Sequence, residues 1–166
     1  MVSVLKLVAI LIFGLLVMLW AAGQLGLLRG GAPTTLGVRD GRLAPPSNTP
    51  NSVSSQAGFY PEHPQRAYAD IAPLAYSGDA QAAMRRLGTV LETTSDCVLV
   101  TREPGYLYAQ CSTPRLKFTD DLEFALDAAG GVIHLRSASR LGRKDFGVNR
   151  ARMEALRVRF SQDNGV

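Results

Sequence analysis

The most hydrophobic part of the chain is an uninterrupted apolar run near its amino terminus. Residues 7–28 are 22 positions without a charged side chain, flanked by Lys6 and Arg29. A helix of about 20 apolar residues spans the hydrocarbon core of a bilayer, and Trp20 stands where an interfacial aromatic residue would lie. The alternative is a cleavable signal, which has a shorter apolar stretch and small residues at its cut, such as Ala-Ala-Gly at 21–23. We favour an uncleaved anchor, which makes the membrane a partner through residues 7–28.

Proline, glycine, serine and asparagine are frequent in the next part of the chain, residues 29–76. Its stretches RLAPPSNTPNSVSSQ and YPEHP are typical of loop or extended chain rather than of helix. Apolar side chains spread through the segment could attach it to a folded domain; they are Phe59, Tyr60, Tyr68, Ile71, Leu74 and Tyr76. We therefore expect an extended segment that wraps over the domain.

Hydrophobic residues return at helical spacing just after this segment. In AQAAMRRLGTVLET they form one apolar face, made of Ala80, Ala83, Met84, Leu87, Val90 and Leu91. Ser77 or Asp79 can cap the first turn. A second helix is predicted from about Phe146 to Phe160, capped by Asp145 or Asn149.

Between these helices the pattern alternates with a period of two, which is typical of half-buried strands. The run DCVLVTREPGYLYAQC predicts a hairpin with its turn centred on Pro104. This register places Cys97 opposite Cys111, Leu99 opposite Ala109 and Thr101 opposite Leu107.

The run DDLEFALDAAGGVIHLRSAS predicts a second hairpin, with a tight turn at Ala129 and Gly130. The pairs expected on the core side are Leu126 with Ile133, Phe124 with Leu135 and Leu122 with Ser137; on the reverse side they are Glu123 with Arg136 and Ala125 with His134.

The element order α-β-β-β-β-α favours an α+β fold, in which a four-stranded antiparallel meander carries both helices on one face. The domain organisation expected is a transmembrane anchor or signal segment at 1–28, the extended segment at 29–76, the α+β core at 77–160 and a tail at 161–166.

Composition and charge narrow the class of protein. A chain of 166 residues that is 46% hydrophobic and 19% charged is neither disordered throughout nor large enough for two catalytic domains. Residues 134–166 hold eight Lys or Arg against three Asp or Glu, whereas residues 29–133 hold nine against eleven. The terminal excess fits a solvated basic helix or contact with anionic lipid headgroups. Nucleic acid is not expected as a partner, because the basic stretch has few aromatic residues.

The charges that flank the apolar run leave its orientation open, since Lys6 stands on one side and Arg29, Arg39 and Arg42 on the other. We expect a single-pass protein of the inner (cytoplasmic) membrane, with its C-terminal domain facing the periplasm.

Cys97 and Cys111 are the only cysteines. In an exported domain, their opposition across the first hairpin favours a structural disulfide. Two buried free thiols are an alternative interpretation. A redox pair or a metal site is a third, although the chain has no CxxC spacing and no third ligand nearby.

His134 is the better placed of the two histidines for chemistry. It lies beside Arg136 and diagonally from Glu123 on the reverse side of the second hairpin, where a carboxylate could orient a general base. The adjacent Ser54 and Ser55 could supply a nucleophile, with Ser54 the one assigned to the catalytic alternative, although no GxSxG motif is present. Because cross-strand ion pairs are common in sheets, a purely structural role is the competing interpretation. No P-loop, HExxH or EF-hand pattern occurs, and we predict neither a metal nor a cofactor.

Hydrogen-bond donors concentrate in two segments, GRLAPPSNTPNSVSSQ at 41–56 and GVIHLRSASRLG followed by DFGVNR at 131–150. Together they could bind an anion where a strand end meets a helix start; the residues are Asn51, Ser54, Ser55, Ser137, Ser139, Arg140, Asn149 and Arg150. The alternative is that these groups tie the N-terminal segment onto the sheet.

These two segments, together with DDLEF at 120–124, resemble the bacterial and plastid family known as domain of unknown function 1499. The resemblance covers about residues 37–160. It implies no activity, although members often look membrane-anchored or thylakoid-associated. They frequently have cysteines in the proline-rich motif where this chain has Pro46 and Ser52. That departure argues against a redox or metal role for the motif and leaves Cys97 and Cys111 as a feature particular to this chain.

The sequence therefore favours a membrane-anchored cell-envelope protein without catalysis, because no recognised catalytic motif is present. Its domain would bind a lipid, an anionic ligand or a partner protein, or act as a scaffold in a membrane complex. The alternative is an envelope hydrolase or transferase that uses His134 with Glu123, Arg136 or Ser54.

Overall fold

The computed structural model describes residues 3–162. Its helices and strands, in chain order, are α1 (Val4–Gln24), β1 (Ser52–Ser54), α2 (Arg66–Ala69), β2 (Leu74–Ala75), α3 (Ala80–Glu92), β3 (Cys97–Glu103), β4 (Tyr106–Ser112), β5 (Thr119–Asp127), β6 (Val132–Ser139) and α4 (Val148–Gln162), with a short 3₁₀ turn at Ala57–Phe59.

The predicted α+β class is confirmed, but the antiparallel sheet has six strands rather than four. Strands β3 to β6 form the predicted meander, each pairing with the next. Strands β1 and β2 come from the proline-rich segment, and both pair with β6. The prediction missed them because strands of three and two residues are too short to show an alternating pattern. Both strands are stabilised by their pairing with β6, which is distant in the sequence.

The register of the second hairpin is confirmed in full, since all the predicted pairs between β5 and β6 are present. In the first hairpin the prediction is wrong beyond Leu99, because Thr101 faces Tyr108 instead of Leu107. A register shift between Leu99 and Thr101 places an extra residue in β3, which is the property of a β-bulge.

A disulfide joins Cys97 and Cys111, which face each other where β3 begins and β4 ends. Their Cα atoms are 4.0 Å apart. The bond links the two strands at the end of the sheet opposite to the Pro104 turn.

Helices α3 and α4 cover one face of the sheet and enclose the apolar core. Asp79 caps α3, where its carboxylate accepts a hydrogen bond from the Ala82 N–H at 2.7 Å. The largest buried side chains of this core are Leu87 and Leu91 from α3, Met153, Leu156 and Phe160 from α4, and Leu74, Leu107, Leu122, Phe124, Ile133 and Leu135 from the sheet. Each of them stabilises the fold by about 1.5–3 kcal/mol through loss of contact with water.

Helix α4 begins at Val148, two residues later than predicted. The reason is the backbone of Phe146 and Gly147, whose φ angles of 53° and 83° do not belong to a right-handed helix. Asp145, one of the two predicted caps, accepts a hydrogen bond from the Asn149 N–H at 3.0 Å.

The opposite face of the sheet, called here the polar face, carries charged side chains and is nevertheless buried. Asp121, Glu123 and Arg136 are only 1%, 0% and 7% exposed. Residues 30–60 cover them: the Gly37 N–H donates to Glu123 Oε1 at 2.8 Å, and Arg136 Nε donates to the Pro45 carbonyl at 3.3 Å. The domain therefore has an apolar core on one side of the sheet and a polar layer on the other.

Helix α1 is long and apolar enough to cross a membrane, and it could be an anchor or a signal sequence. Its last turn contacts the β4–β5 loop, residues 113–118. Gln24 Nε2 donates to the Arg115 carbonyl at 3.0 Å. A Cβ atom on Gly23 would lie only 2.5 Å from the Leu116 carbonyl oxygen, so glycine permits this close approach of helix and loop.

Candidate functional site

Four of the eight residues predicted to bind an anion come together, namely Asn51, Ser137, Ser139 and Asn149, but their donors bond to the protein itself. At their centre is Asn149, which is fully buried. Its Nδ2 atom donates to the Asn51 carbonyl at 3.1 Å and to Ser139 Oγ at 2.9 Å, and its Oδ1 atom accepts a hydrogen bond from Ser137. We call these residues, with Asp145, the Asn149 cluster.

Asp145 holds the start of α4 within this cluster. Its carboxylate accepts hydrogen bonds from the Tyr68 hydroxyl, the Gly147 N–H and the Asn149 side chain. Burial alone would raise the pKa of Asp145, but the hydrogen bonds donated by these three residues outweigh it and hold the pKa below its ordinary value. Burial, and then the hydrogen bond to Asp145, raises the pKa of Tyr68.

The two arginines of the predicted anion site are also occupied. Arg140 makes a bidentate contact with Asp121, with Nη2 to Oδ1 at 2.7 Å and Nε to Oδ2 at 2.9 Å. The hydrogen bond with Asp121 is the main reason why the pKa of Arg140 is raised. Arg150 Nη2 donates to the carbonyls of Tyr68 and Asp70 at 2.6 and 2.8 Å.

These contacts join the N-terminal segment to the sheet and to α4, which is the second of the two interpretations that the sequence left open. Within the Asn149 cluster, the buried side-chain atom without a hydrogen-bond partner in residues 3–162 is Asn51 Oδ1. It is an acceptor, which an anion cannot satisfy.

His134 contacts Ser55, the second of the two adjacent serines considered as nucleophiles, and a different carboxylate from the one predicted. Its Nδ1 atom lies 3.1 Å from Ser55 Oγ, and its Nε2 atom lies 3.7 Å from Asp127 Oδ2. Ser55 follows β1 directly and its Oγ atom also accepts the Leu135 N–H at 2.9 Å, while Asp127 ends β5. Ser54 is buried, and its hydroxyl oxygen accepts the Gln56 N–H at 3.2 Å.

Glu123, the carboxylate expected to assist His134, belongs to the polar face. It accepts hydrogen bonds from the Tyr106 hydroxyl at 2.8 Å and from Arg136 Nη1 at 3.3 Å. Burial, together with the nearby charge of Glu123, raises the pKa of Tyr106 well above its ordinary value. Arg136 is therefore paired with Glu123, and within residues 3–162 neither forms a hydrogen bond or an ion pair with His134.

A cleft of about 550 Å³ opens beside His134, and we call it the Arg42 cleft. Its volume lies in the range of small-molecule sites. It is lined by Val38, Asp40, Gly41, Arg42, Gln56, Phe59, Gly105, Tyr106, Ala125, Leu126, Asp127 and His134. Its wall over residues 38–43 is fixed by Gln56, which accepts the Leu43 N–H at 2.8 Å and donates to the Gly41 carbonyl at 3.2 Å.

Arg42 is the cation with free donors at this cleft. Its guanidinium carbon lies 4.6 Å from the centre of the Phe59 ring, a cation–π contact that positions the group. Within residues 3–162 the guanidinium has no hydrogen-bond or ion-pair partner, and it also lines a neighbouring cavity of about 510 Å³. The sequence prediction passed over Arg42, although the residue stands in the first of the two segments that it singled out.

The described part of the chain shows no cluster of side chains suited to a metal ion. Residues 3–162 contain no group of three or more His, Cys, Asp or Glu side chains arranged to hold a metal ion.

Comparison with known protein families gave a match over most of the domain. A family described as "Protein of unknown function (DUF1499)" matches residues 42–160. No curated protein and no solved structure matches the chain. The matched range includes Arg42, the Asn149 cluster, the polar face and both hairpins.

The lowered pKa of Asp145 predicts how the Asn149 cluster responds to acid. The pKa of the Asp145 carboxyl is lower in the folded chain than in the unfolded chain, where it is about 4. The ionised carboxylate therefore stabilises the fold in full above about pH 4, and this stabilisation is lost as the pH falls through the pKa of the folded chain. We expect the difference in Tm between wild type and Asp145→Asn to be largest near neutral pH and to shrink below about pH 4.

Glu154→Gln is the matched control, because Glu154 is half exposed and pairs with Arg157 at the surface at 2.8 Å. Such a pair contributes little, so its Tm difference should stay small from neutral to acid pH. A Tm difference for Asp145→Asn that is unchanged by acid would contradict the role assigned to the ionised carboxylate.

Proposed function

The chain belongs to the DUF1499 family, whose description assigns no activity, and we propose from its own geometry that it is a membrane-anchored binding protein for an anionic ligand. In this proposal α1 is an uncleaved single-pass anchor, the domain lies in the periplasm, and the ligand enters the Arg42 cleft. The observation that carries the proposal is the free guanidinium of Arg42 at the mouth of a cleft of ligand size.

The length and exposure of α1 support anchoring. Its 21 residues rise by about 31 Å, which matches the hydrocarbon thickness of a bilayer of about 30 Å. None of its most apolar window is buried against the domain. A helix that is apolar all round and has no protein cover is stable in lipid.

The Cys97–Cys111 disulfide supports a periplasmic domain, because disulfides persist in oxidising compartments and are rare in the bacterial cytosol. Arg29, Arg39 and Arg42 follow the anchor on the same side as the domain, so the flanking charges give no support to this orientation.

The chemistry of the Arg42 cleft supports an anion with an apolar part. A guanidinium presents several N–H groups that match carboxylate or phosphate oxygens. Val38 and Leu126 provide apolar wall beside it, and the His134 ring lines the cleft with only 16% of its side chain exposed. Asp40 and Asp127 also line the cleft, which favours a ligand with a donor group at some distance from its anionic group.

The position of the cleft favours a ligand from solution over a lipid of the bilayer. The cleft lies at the Asp127 end of β5, whereas α1 contacts the loop before Thr119, at the other end. The nine residues of β5 separate these ends by about 27 Å.

Replacement of Arg42 tests the ligand proposal. We expect native mass spectrometry of the full chain in detergent to show an added mass that disappears on denaturation and is lost in Arg42→Ala. With inorganic phosphate as a probe, the apparent affinity from Tm shifts should fall by about tenfold to a hundredfold, as for the loss of a charged hydrogen bond. Arg85→Ala is the control, since Arg85 is an exposed arginine of α3. A mass or an affinity unchanged in Arg42→Ala would contradict the proposal.

Thiol trapping tests the compartment. When intact cells are quenched with acid and the denatured chain is treated with a maleimide, we expect no modification until a reductant is added, after which both cysteines react. Modification without reductant would contradict a periplasmic domain.

A second candidate function, hydrolysis, is favoured by one observation. The His134 ring lies between the Ser55 hydroxyl and the Asp127 carboxylate and contacts both. A hydroxyl, an imidazole and a carboxylate in this order are the groups of a serine hydrolase. Against it, Ser55 does not line the Arg42 cleft, and its Oγ atom accepts the Leu135 N–H. The Ser55 hydroxyl therefore extends the pairing of β1 with β6.

This second candidate predicts that hydrolysis of nitrophenyl esters by the full chain falls by about a thousandfold or more in Ser55→Ala, as it does when a triad nucleophile is removed. Ser54→Ala, in the adjacent buried position, is the control. Equal rates in the wild type and both variants would exclude hydrolysis through Ser55.

A further inference from the structure

The end of the domain next to α1 exposes large apolar side chains. Phe146 is 91% exposed, Leu141 42% and Val148 40%. Together with Phe118 they line a cavity of about 360 Å³ between the β4–β5 loop and the β6–α4 loop. We call residues 113–118 and 140–148 the docking face.

Phe146 is held outward by the structure of its loop. Its φ of 53° is uncommon for a residue with a side chain. The neighbouring Asp145 is fixed, because its N–H donates to the Pro50 carbonyl at 3.2 Å and its carboxylate accepts the Gly147 N–H at 3.0 Å. An exposed phenylalanine on a pinned loop indicates a surface that is covered in the native setting.

Exposed basic residues stand in both loops of the docking face and just after α1. Arg29, Arg115, Arg143 and Lys144 are exposed, and none of them has an ion-pair partner in the described part of the chain, whereas Lys117 pairs with Asp96 at 3.0 Å. The acidic residue of the same loop, Asp145, is buried within the Asn149 cluster. The docking face therefore presents aromatic and aliphatic groups within a positively charged rim.

Both loops of the docking face lie beside the end of α1. Gln24 donates to the Arg115 carbonyl at 3.0 Å, and Gly23 packs against Leu116. On the other side, a Cβ atom on Gly30 would lie 2.9 Å from Arg140 Cβ and 3.0 Å from Leu141 Cγ. Because α1 is just long enough to cross the hydrocarbon core, its end at Gln24 sets these loops at the level of the headgroups.

We infer that the docking face binds the anionic lipid surface of the bilayer that α1 crosses, with the Phe146 ring in the interfacial layer. Aromatic rings concentrate at this depth, and basic side chains are attracted by anionic headgroups. A second copy of the chain is a poorer occupant, since it would bring the same positive rim against this one. The inference rests on the proposed anchoring by α1, and it fixes the domain with the Arg42 cleft pointing away from the membrane.

Tryptophan fluorescence in vesicles tests this inference on the full chain. Trp20 is the only tryptophan, so quenching of the wild type by brominated lipid reports insertion of α1. Two further chains carry Trp20→Phe, one with Phe146→Trp and the other with Phe59→Trp. Phe59 is the matched control, because it is 52% exposed and lines the cleft at the far end of the sheet.

In vesicles of phosphatidylcholine with phosphatidylglycerol, we expect the Phe146→Trp chain to have blue-shifted emission and quenching comparable with that of Trp20. The Phe59→Trp chain should emit as in water and be quenched several-fold less. Adding Arg143→Glu and Lys144→Glu, or removing phosphatidylglycerol, should weaken the quenching of the Phe146→Trp chain.

Water-like emission without quenching in the Phe146→Trp chain, while Trp20 remains quenched, would overturn docking and leave the anchor intact. Blue-shifted emission without quenching would also overturn it, because protein such as a second copy would then cover the face. Absence of quenching for Trp20 itself would overturn the proposed anchor, and this inference with it.

Discussion

Burial of the carboxylates of Asp121 and Glu123 is the constraint on which the rest of the domain depends. Both lie on β5, in the middle of the sheet and on the face away from the helices, and neither is accessible to water. A buried charge is tolerated only when it is paired and hydrogen-bonded. The cations are Arg136 of β6 for Glu123 and Arg140, the residue directly after β6, for Asp121. Backbone groups of residues 30–60 form further hydrogen bonds with Glu123, Arg136 and Arg140 and exclude solvent from these ion pairs. The path of the N-terminal segment, and with it the Arg42 cleft, follows from this requirement.

The hairpins and helices could be predicted from the sequence because their residues alternate or repeat in the way that local geometry demands. Leu122, Phe124 and Leu126 alternate with polar or small residues, which is enough to set the register of β5 against β6. The bulge in β3 left no comparable signal, so the pairing of Thr101 was wrong. Strands β1 and β2 depend on a partner about 60 to 85 positions away, which no local pattern reveals.

The binding site was harder to predict, because the type of a residue does not show whether its hydrogen-bond donors are already bonded to other groups of the protein. Asn149, Arg140 and Arg150 were reasonable anion ligands by chemistry, yet their donors hold the chain together. Charged residues on a strand usually indicate a face exposed to solvent. The sequence therefore did not indicate that residues 30–60 bury Glu123, or that His134 contacts Ser55 and Asp127. The free guanidinium of Arg42 could be recognised only once the path of residues 30–60 was known.

The most direct test of this account is native-state hydrogen exchange of the Gly37 amide, which donates to Glu123 across the polar face. If the N-terminal segment is an integral part of the fold, this amide should exchange as slowly as the amides of β5, through global unfolding alone. Exchange at the rate of an exposed loop, with β5 still protected, would mean that the segment opens independently and that the polar face is not a closed layer.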